Sequence, residues 1–474
     1  MLAALLVLTA ACGSVRDPAG PAGSRGLGDP YFPLLGNGGY DVTHYDLDLS
    51  YDPATDRLDG TARITARATQ DLAAFDLDLL GLDVRRVGIG GKDARVHRDG
   101  QELTVRPARE LREGRTFRTT VVYGGVPRRV VDPDRSEEGW LRTADGALAL
   151  GQPQGSMTWF PGNHHPRDKA TYDIAVTVPR GITVLSNGEP GPRRVHPDRS
   201  TTFVWRCAQP MASYLATVAI GKWRVQGLDD RGRRLPGPRG EAITAVDPRQ
   251  PDSAARVLDR IPAIMAWERR YFGPYPFSST GAIVDRPQDV GYALETQNRP
   301  TFGGPPDVET LVHELAHQWY GDSVTPKSWR DMWLNEGFAT YAEWLWQEDH
   351  GGRSAQRSFD ALYHDRYFDT PAANKAVWSA PPARPADAAH ISDSPVYQRG
   401  AAVLHKVRQA LGDRAFRGLL RGWAAERRHG VADTRDFTSY AESYAGKEAG
   451  HRARARLAGV WRDWLYGEGK PRKE

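Results

Sequence analysis

The segment His313-Glu314-Leu315-Ala316-His317 places two imidazoles four residues apart with a carboxylate beside the first. On a helix this spacing turns both rings to one face, where they can grip a single divalent cation. Glu314 then stands where it can take a proton from a cation-bound water. Beyond His317, on a second predicted helix, Glu336 occurs in Asn335-Glu336-Gly337. A hydrolytic Zn²⁺ centre takes three protein ligands and keeps a fourth position open for water. His313, His317 and Glu336 meet that requirement, with one Zn²⁺ per chain. Glu343, two turns past Glu336 on the same face, can accept a hydrogen bond from the non-ligating nitrogen of a histidine ligand and so fix its tautomer. The chemistry these residues could perform is metal-assisted hydrolysis.

Two helices must position this set. Val308, Leu311, Val312, Leu315, Ala316 and Trp319 follow helical spacing, which predicts a helix over 307–320 with Asp307 as N-cap and Gly321 as stop. A second helix is predicted over 331–348, and others over 254–271, 398–411, 414–427 and 452–465. A short β portion is expected from Gly281 to Glu295. Upstream the period changes to two. Tyr45, Leu47, Leu49 and Tyr51 alternate with polar residues, as do Phe75–Leu79 and Tyr172–Val178, with Gly and Pro punctuating the runs. The fold class expected is therefore α+β and multidomain. An N-terminal antiparallel β-sheet domain is assigned to 36–248 and a mainly α catalytic domain to 249–474.

With the zinc motif and its second helix in place, the sequence resembles the gluzincin aminopeptidases typified by aminopeptidase N. His313–Trp319 together with Trp333-Leu334-Asn335-Glu336-Gly337-Phe338-Ala339 is similar to the family's zinc signature. Trp159–Asn163 with His165-Pro166 and Asp168–Tyr172 is similar to a junction inside its N-terminal domain. The resemblance implies a saddle-like β-domain, a thermolysin-like catalytic domain and removal of N-terminal residues from peptides. It reads His164-His165 as structural. In the family, the Glu of a Gly-x-Met-Glu-Asn strand binds the substrate's free α-amine. Here Gly291-Tyr292-Ala293-Leu294-Glu295-Thr296 keeps the Glu, replaces Met and Asn with Leu294 and Thr296, and sets the Gly one place early. The resemblance implies Glu295 as amine anchor, with Gln154 of Gln152-Pro153-Gln154 and Ala293 as further substrate-binding positions. Tyr397, in Val396-Tyr397-Gln398-Arg399-Gly400, matches the Tyr that donates to the oxyanion; a phenol suits this role because it donates while neutral. Large relatives carry a further C-terminal helical domain, and Trp461–Tyr466 is similar to the end of the catalytic domain.

Two other readings share these residues. A zinc endopeptidase of the same fold is opposed by Glu295, since a buried carboxylate facing an ammonium penalises blocked chain starts. A non-catalytic cell-surface binding module is opposed by Glu314 and Tyr397, which binding alone does not need.

Composition sets the outer bounds. Of 474 residues, 40% are hydrophobic and 26% charged, and Lys+Arg 63 against Asp+Glu 59 leaves +4. That balance excludes a disordered polyelectrolyte and a dedicated nucleic-acid binder. Leu2–Ala11 is an apolar run too short to span a bilayer and reads as an export signal over residues 1–12. Thr9-Ala10-Ala11-Cys12 resembles a lipoprotein processing site, so Cys12 is the expected lipid-bearing residue and the membrane the expected partner besides peptides. The protein is expected to be exported, either anchored at the extracellular face or secreted. A flexible Gly/Pro-rich tether is assigned to 13–35. Cys12 and Cys207 are the two cysteines. With Cys12 lipidated or removed, no disulfide framework remains, and Cys207 reads as a buried small hydrophobe.

Overall fold

The computed structural model describes residues 20–472. The apolar run Leu2–Ala11 and Cys12 lie outside them.

The period-two segments form the N-terminal domain. Strand Tyr40–Asp52 pairs antiparallel with Arg57–Ala68, which pairs with Thr116–Gly125. Its other edge meets Lys169–Val178, which pairs with Thr201–Ala212. These strands are the centre of a nine-stranded sheet. Alternation works as the sequence suggests: Tyr45, Leu47, Leu49 and Tyr51 are buried while their neighbours face out. The pairing of Tyr40–Asp52 with Lys169–Val178 is parallel, against the expectation of a wholly antiparallel sheet. These two strands are joined by most of the domain rather than by a hairpin, and a long connection permits parallel entry. A second sheet of five strands contains Glu137–Arg142, Ala147–Leu150 and Val218–Gly221.

The break expected near 248 does not separate the sheets. A third sheet runs in the order Arg224–Gln226, Ala242–Val246, Thr280–Val284, Thr301–Phe302, Ala293–Leu294. Its first two strands precede 248, so the sheet that carries the amine-anchor segment begins well inside the span assigned to the N-terminal domain. Ala293–Leu294 is an edge strand, leaving one side free of sheet partners.

Ten helices follow among the described residues: α1 (Asp252–Leu258), α2 (Ile261–Phe272), α3 (Val308–Ala316), α4 (Trp333–Asp349), α5 (Ala355–Tyr363), α6 (Pro371–Ala376), α7 (Gly400–Leu411), α8 (Asp413–Glu426), α9 (Thr434–Glu448) and α10 (Gly450–Val460). The single helix expected over 254–271 is two, with Pro262 in the first turn of α2, where a missing N–H is harmless. Helix α3 stops earlier than expected, and the chain turns through Gly321 at a φ of 134°. Helices α5, α6 and α9 were not among those predicted.

Two further departures bear on the site. The tether expected to be flexible to residue 35 is docked from Gly20 onward. Asp29 accepts hydrogen bonds from Ser328 Oγ and the Trp329 amide at 2.8 and 2.9 Å, and Tyr31 donates to the Pro385 carbonyl at 2.6 Å. Lys169, from the N-terminal domain, donates to the carbonyls of Asp322 and Ser323 and to Thr325 Oγ1, all within 3.0 Å. This ammonium clamps the turn that follows α3. Cys207 is buried, and burial pushes its thiol up to about 12, which makes it unreactive.

Candidate active site

Helix α3 starts where Asp307 accepts the Thr310 amide at 2.7 Å, satisfying an N-terminal N–H. Leu311, Val312 and Leu315 are buried and fix the helix rotation, which turns His313 and His317 toward α4. Helix α4 is buried along most of its length, with Trp333, Phe338, Tyr341 and Trp344 in the core, and presents Glu336 in its first turn. The Nε2 atoms of His313 and His317 lie 3.2 and 3.3 Å from Glu336 Oε2. Each ring is oriented from behind. His313 Nδ1–H donates to Glu343 Oε1 at 2.5 Å, and His317 Nδ1–H donates to the Tyr320 carbonyl at 3.0 Å. Both Nε2 atoms are thereby left facing the carboxylate.

One ligand atom from each of His313, His317 and Glu336 lies within 4.8 Å of the others. Two outward-turned imidazole nitrogens, a buried carboxylate and a hydrogen-bonded second nitrogen on each ring fit the donor chemistry of Zn²⁺. Electrostatics agree. Burial works against charge on both histidines, yet Glu336 holds their titration well above the ordinary range, while the two rings hold Glu336 below the usual carboxylate range against its burial. A divalent cation would displace protons from this cluster on binding.

Glu314 is 6% exposed, and its Oε2 is buried without a hydrogen-bond partner. Burial pushes its titration up to about 7, partly offset by the two histidines. A carboxyl poised there can accept a proton and return it.

Tyr397 sits in a single π-type turn, Pro395–Arg399, before α7. Its ring stacks on His313 with centroids 6.0 Å apart and 12° between planes, and its hydroxyl is within hydrogen-bonding range of Glu336. Burial pushes the phenol well above its ordinary titration, so it stays a donor. What brings it here is backbone proximity: a Cβ placed on Gly337 would lie 3.0 Å from the Gly400 Cα, so α4 and α7 touch through two glycines.

Glu295 lies directly after the edge strand, and its carboxylate, Glu314 and His317 also offer atoms within 4.8 Å of one another. Gln318 holds this segment to α3: its Nε2 donates to the Glu295 carbonyl at 3.4 Å and its Oε1 accepts from the Asn298 amide at 2.8 Å. Ala293 is half-buried on the same strand. Gln154 is not beside Glu295. Gln152 is, donating from Nε2 to Glu295 Oε1 at 2.7 Å, while Gln154 donates to Asp132 Oδ1 at 2.7 Å. The two flank Pro153 in a turn rather than an extended strand, and which of them faces Glu295 depends on that local conformation, which the motif alone does not fix. His164 and His165 belong to no cluster of metal-ligating residues among those described; His164 Nε2 lies 2.9 Å from the Phe160 carbonyl and His165 Nε2 3.5 Å from Asp29.

Comparison with known proteins places this geometry. The Peptidase M1 N-terminal domain model matches residues 42–215, and the Peptidase family M1 domain model matches 304–464. "Probable aminopeptidase 1" of Saccharolobus solfataricus is 22% identical over 465 residues, covering 91% of this chain and 54% of the relative. Mouse aminopeptidase N is 26% identical over 283 residues, covering 54% of this chain and 29% of the relative. The chain thus spans about half the length of the archaeal relative and less of the mouse one. The crystal structure of an M1 zinc metallopeptidase from Deinococcus radiodurans superposes with a TM-score of 0.77 at 29% identity, covering 95% of this chain and 98% of that one. A mutant of the Deinococcus protein bound to a Tyr-Ser-Ala substrate superposes with a TM-score of 0.78. By both matched halves and by the fold that joins them, the chain belongs to peptidase family M1, the aminopeptidase N-like zinc metallopeptidases.

Proposed function

We propose that this chain is a zinc aminopeptidase that removes N-terminal residues from peptides with a free α-amine. The observation that carries this reading is the placement of a buried, amide-tethered carboxylate, Glu295, against Glu314 and His317. An ammonium held by Glu295 and the Gln152 side-chain carbonyl leaves only the first peptide bond within reach of Glu314. A blocked terminus would bury the carboxylate against a group with no charge to offer. The tripeptide bound by the Deinococcus relative supports a peptide substrate, extended along the free edge of Ala293–Leu294.

His313, His317 and Glu336 would hold the Zn²⁺, which when bound would supply Lewis acidity for the carbonyl and for activation of water. Glu314 accepts the proton from the attacking water and passes it to the departing amine. The Tyr397 hydroxyl donates to the oxygen on which negative charge develops, and Glu343 keeps His313 in the tautomer that leaves Nε2 unprotonated.

The test compares a free peptide with its N-acetylated form, using enzyme of measured zinc content, with and without chelator, beside Glu314→Gln. Cleavage of the free peptide alone, abolished by chelation, is expected. Glu314→Gln should retain one zinc per chain and lose about 10²–10⁴ in kcat. Activity should also fall as pH drops, since Glu314 must be deprotonated to act; the cation draws its titration down from about 7, so the acid limb lies at or below that value. Equal cleavage of capped and uncapped peptides would favour the endopeptidase.

We also propose export and lipid attachment at Cys12, on the strength of the apolar run and the Thr9-Ala10-Ala11-Cys12 block. Among the described residues no helix is long and apolar enough to cross a membrane. Labelled palmitate should enter the protein expressed in its native host and be lost with Cys12→Ala; an unlabelled native chain refutes the anchor.

A further inference from the structure

The turn Pro395–Arg399, which carries Tyr397, runs straight into α7 and is gripped from two sides. In front, Gly400 lies against Gly337 of α4, the helix that presents Glu336. Behind is Arg399. Residues two apart on a helical turn do not face the same way, so the side chain at 399 leaves the turn on a different side from Tyr397. Arg399 is 0% exposed, one of the largest side chains in the molecule to be fully buried. Its Nε donates to the Trp464 carbonyl at 2.9 Å and its Nη1 to the Ala380 carbonyl at 3.0 Å. Its Nη2 donates to the carbonyls of Gly467 at 2.5 Å and Asp463 at 3.4 Å. The Trp378 ring lies beside the guanidinium, 5.8 Å from its Cζ.

Such a partnership is uncommon for a buried guanidinium. Withdrawing a charge from water is costly, and a carboxylate is the ordinary compensation. Among the described residues the hydrogen-bond acceptors of Arg399 are all backbone carbonyls, yet the group stays charged, since burial brings its titration down only to about 10. Local structure explains how. Trp461–Leu465 is a second π-type turn, at the end of α10, and the carbonyls of a helix's last turn have no intrahelical amide to meet them. A cation placed there satisfies those groups and the negative end of the helix dipole together. A cap for α10 alone could come from an exposed Lys or Arg of the same segment, with no desolvation to offset. What Arg399 adds is a link: its rigid fork of donors joins Ala380, Asp463–Trp464 and Gly467 to the turn that holds Tyr397, a reach that an ammonium on a flexible stem does not reproduce.

We propose that Arg399 is a positioning residue for the oxyanion donor: it locks the Tyr397 turn to the end of α10 and so holds the phenol hydroxyl where the substrate's carbonyl oxygen gains charge. The proposal rests on the aminopeptidase reading and adds to it a residue that acts through Tyr397 alone. Oxyanion stabilisation depends on donors held in place before the reaction, and a misplacement of about 1 Å can cost a factor of about 100. Loosening the rear grip therefore lowers kcat. KM and zinc binding, which depend on Glu295 and on the α3–α4 pair, stay as they are.

The experiment measures kcat, KM and zinc content for the wild-type chain, Arg399→Lys, Tyr397→Phe and the double variant, with a free aminoacyl amide as substrate. Tyr397→Phe should lower kcat about 10²–10³-fold by removing the donor. Arg399→Lys should lower it roughly 10–100-fold, with KM within about twofold of wild type and zinc content unchanged. In the double variant the loss should match that of Tyr397→Phe alone, because a phenyl ring has no hydroxyl left to place. Losses that multiply in the double variant overturn the proposal, as does an unchanged kcat in Arg399→Lys. Loss of zinc or of the folded state in Arg399→Lys also overturns it, since the guanidinium then supports the fold at large and not Tyr397. Wild-type protein that cleaves no free aminoacyl amide overturns the aminopeptidase reading, and this proposal with it; the other outcomes leave that reading standing.

Discussion

The metal-facing and amine-facing sides of the cleft are held by different kinds of scaffold. On the metal side, His313, His317, Glu336 and Glu343 come from two adjacent helices, α3 and α4, packed in one aromatic core. Each ligand ring is fixed by a hydrogen bond from within that helical layer. On the amine side, Glu295 follows a two-residue edge strand, and its polar partner Gln152 comes from the N-terminal domain, 143 residues away. The metal half is thus preorganised by local packing, whereas the amine half depends on the register between domains, which Lys169 and the docked segment around Asp29 maintain. Affinity for metal and discrimination of the chain start should therefore be separable by mutation.

The larger of two such separations is expected at Glu343. Replacing it with Gln leaves a neutral amide where a carboxylate accepted the His313 Nδ1–H, so the ring loses its charged partner and, since the amide can also turn its NH2 to the ring, the acceptor-only group that enforced one tautomer. Zinc affinity should fall about 10–100-fold, read by competition against a chelator of known strength. With zinc added back to saturation, the preference for free over acetylated peptide should be unchanged. A changed preference at full zinc occupancy means that the two halves are not independent.

The same division governs what could be read before the fold was known. Ligands to the metal are spaced by helical periodicity, which is a property of neighbours in sequence; His313 and Glu336 are only 23 positions apart and each carries its own helix signal. The strands of the N-terminal domain were legible for the same reason, from alternation around Tyr45–Tyr51 and Tyr172–Val178. Period, however, says nothing of partners. It did not reveal that Tyr40–Asp52 and Lys169–Val178 run parallel, nor that Arg224–Gln226 and Ala242–Val246 join the catalytic sheet. Helix α9 escaped because its exposed face is polar and its buried set is small, Phe437, Ala441 and Ala445, although the Asp433/Asp436 capping box at its start was a signal within reach. Glycines 337 and 400 carried no message singly; their meaning is the contact between two helices that seats Tyr397. The choice between Gln152 and Gln154 belongs to the same class, because it turns on which way a segment from one domain faces another.

Gln152 gives the smaller and sharper test of that separation. Its amide donates to one oxygen of Glu295, holding the carboxylate aimed at the space beside Glu314, and burial already pushes Glu295 toward its neutral form. Removing the donor with Gln152→Ala takes away one hydrogen bond to a buried charged group, a loss of about 1.5–3 kcal/mol at most. Only part of it is expressed in the complex, because the substrate's ammonium supplies donors of its own. KM for a free dipeptide amide should rise roughly tenfold, with kcat changed less, since the group acts on the anchor and not on the reacting bond. Zinc content and chelator competition should match the parent protein, in contrast to Glu343→Gln. Should Gln152→Ala instead lower kcat while leaving KM alone, Glu295 would be acting on the transition state, and the amine side of the cleft would have to be regarded as part of the proton-transfer machinery that Glu314 serves.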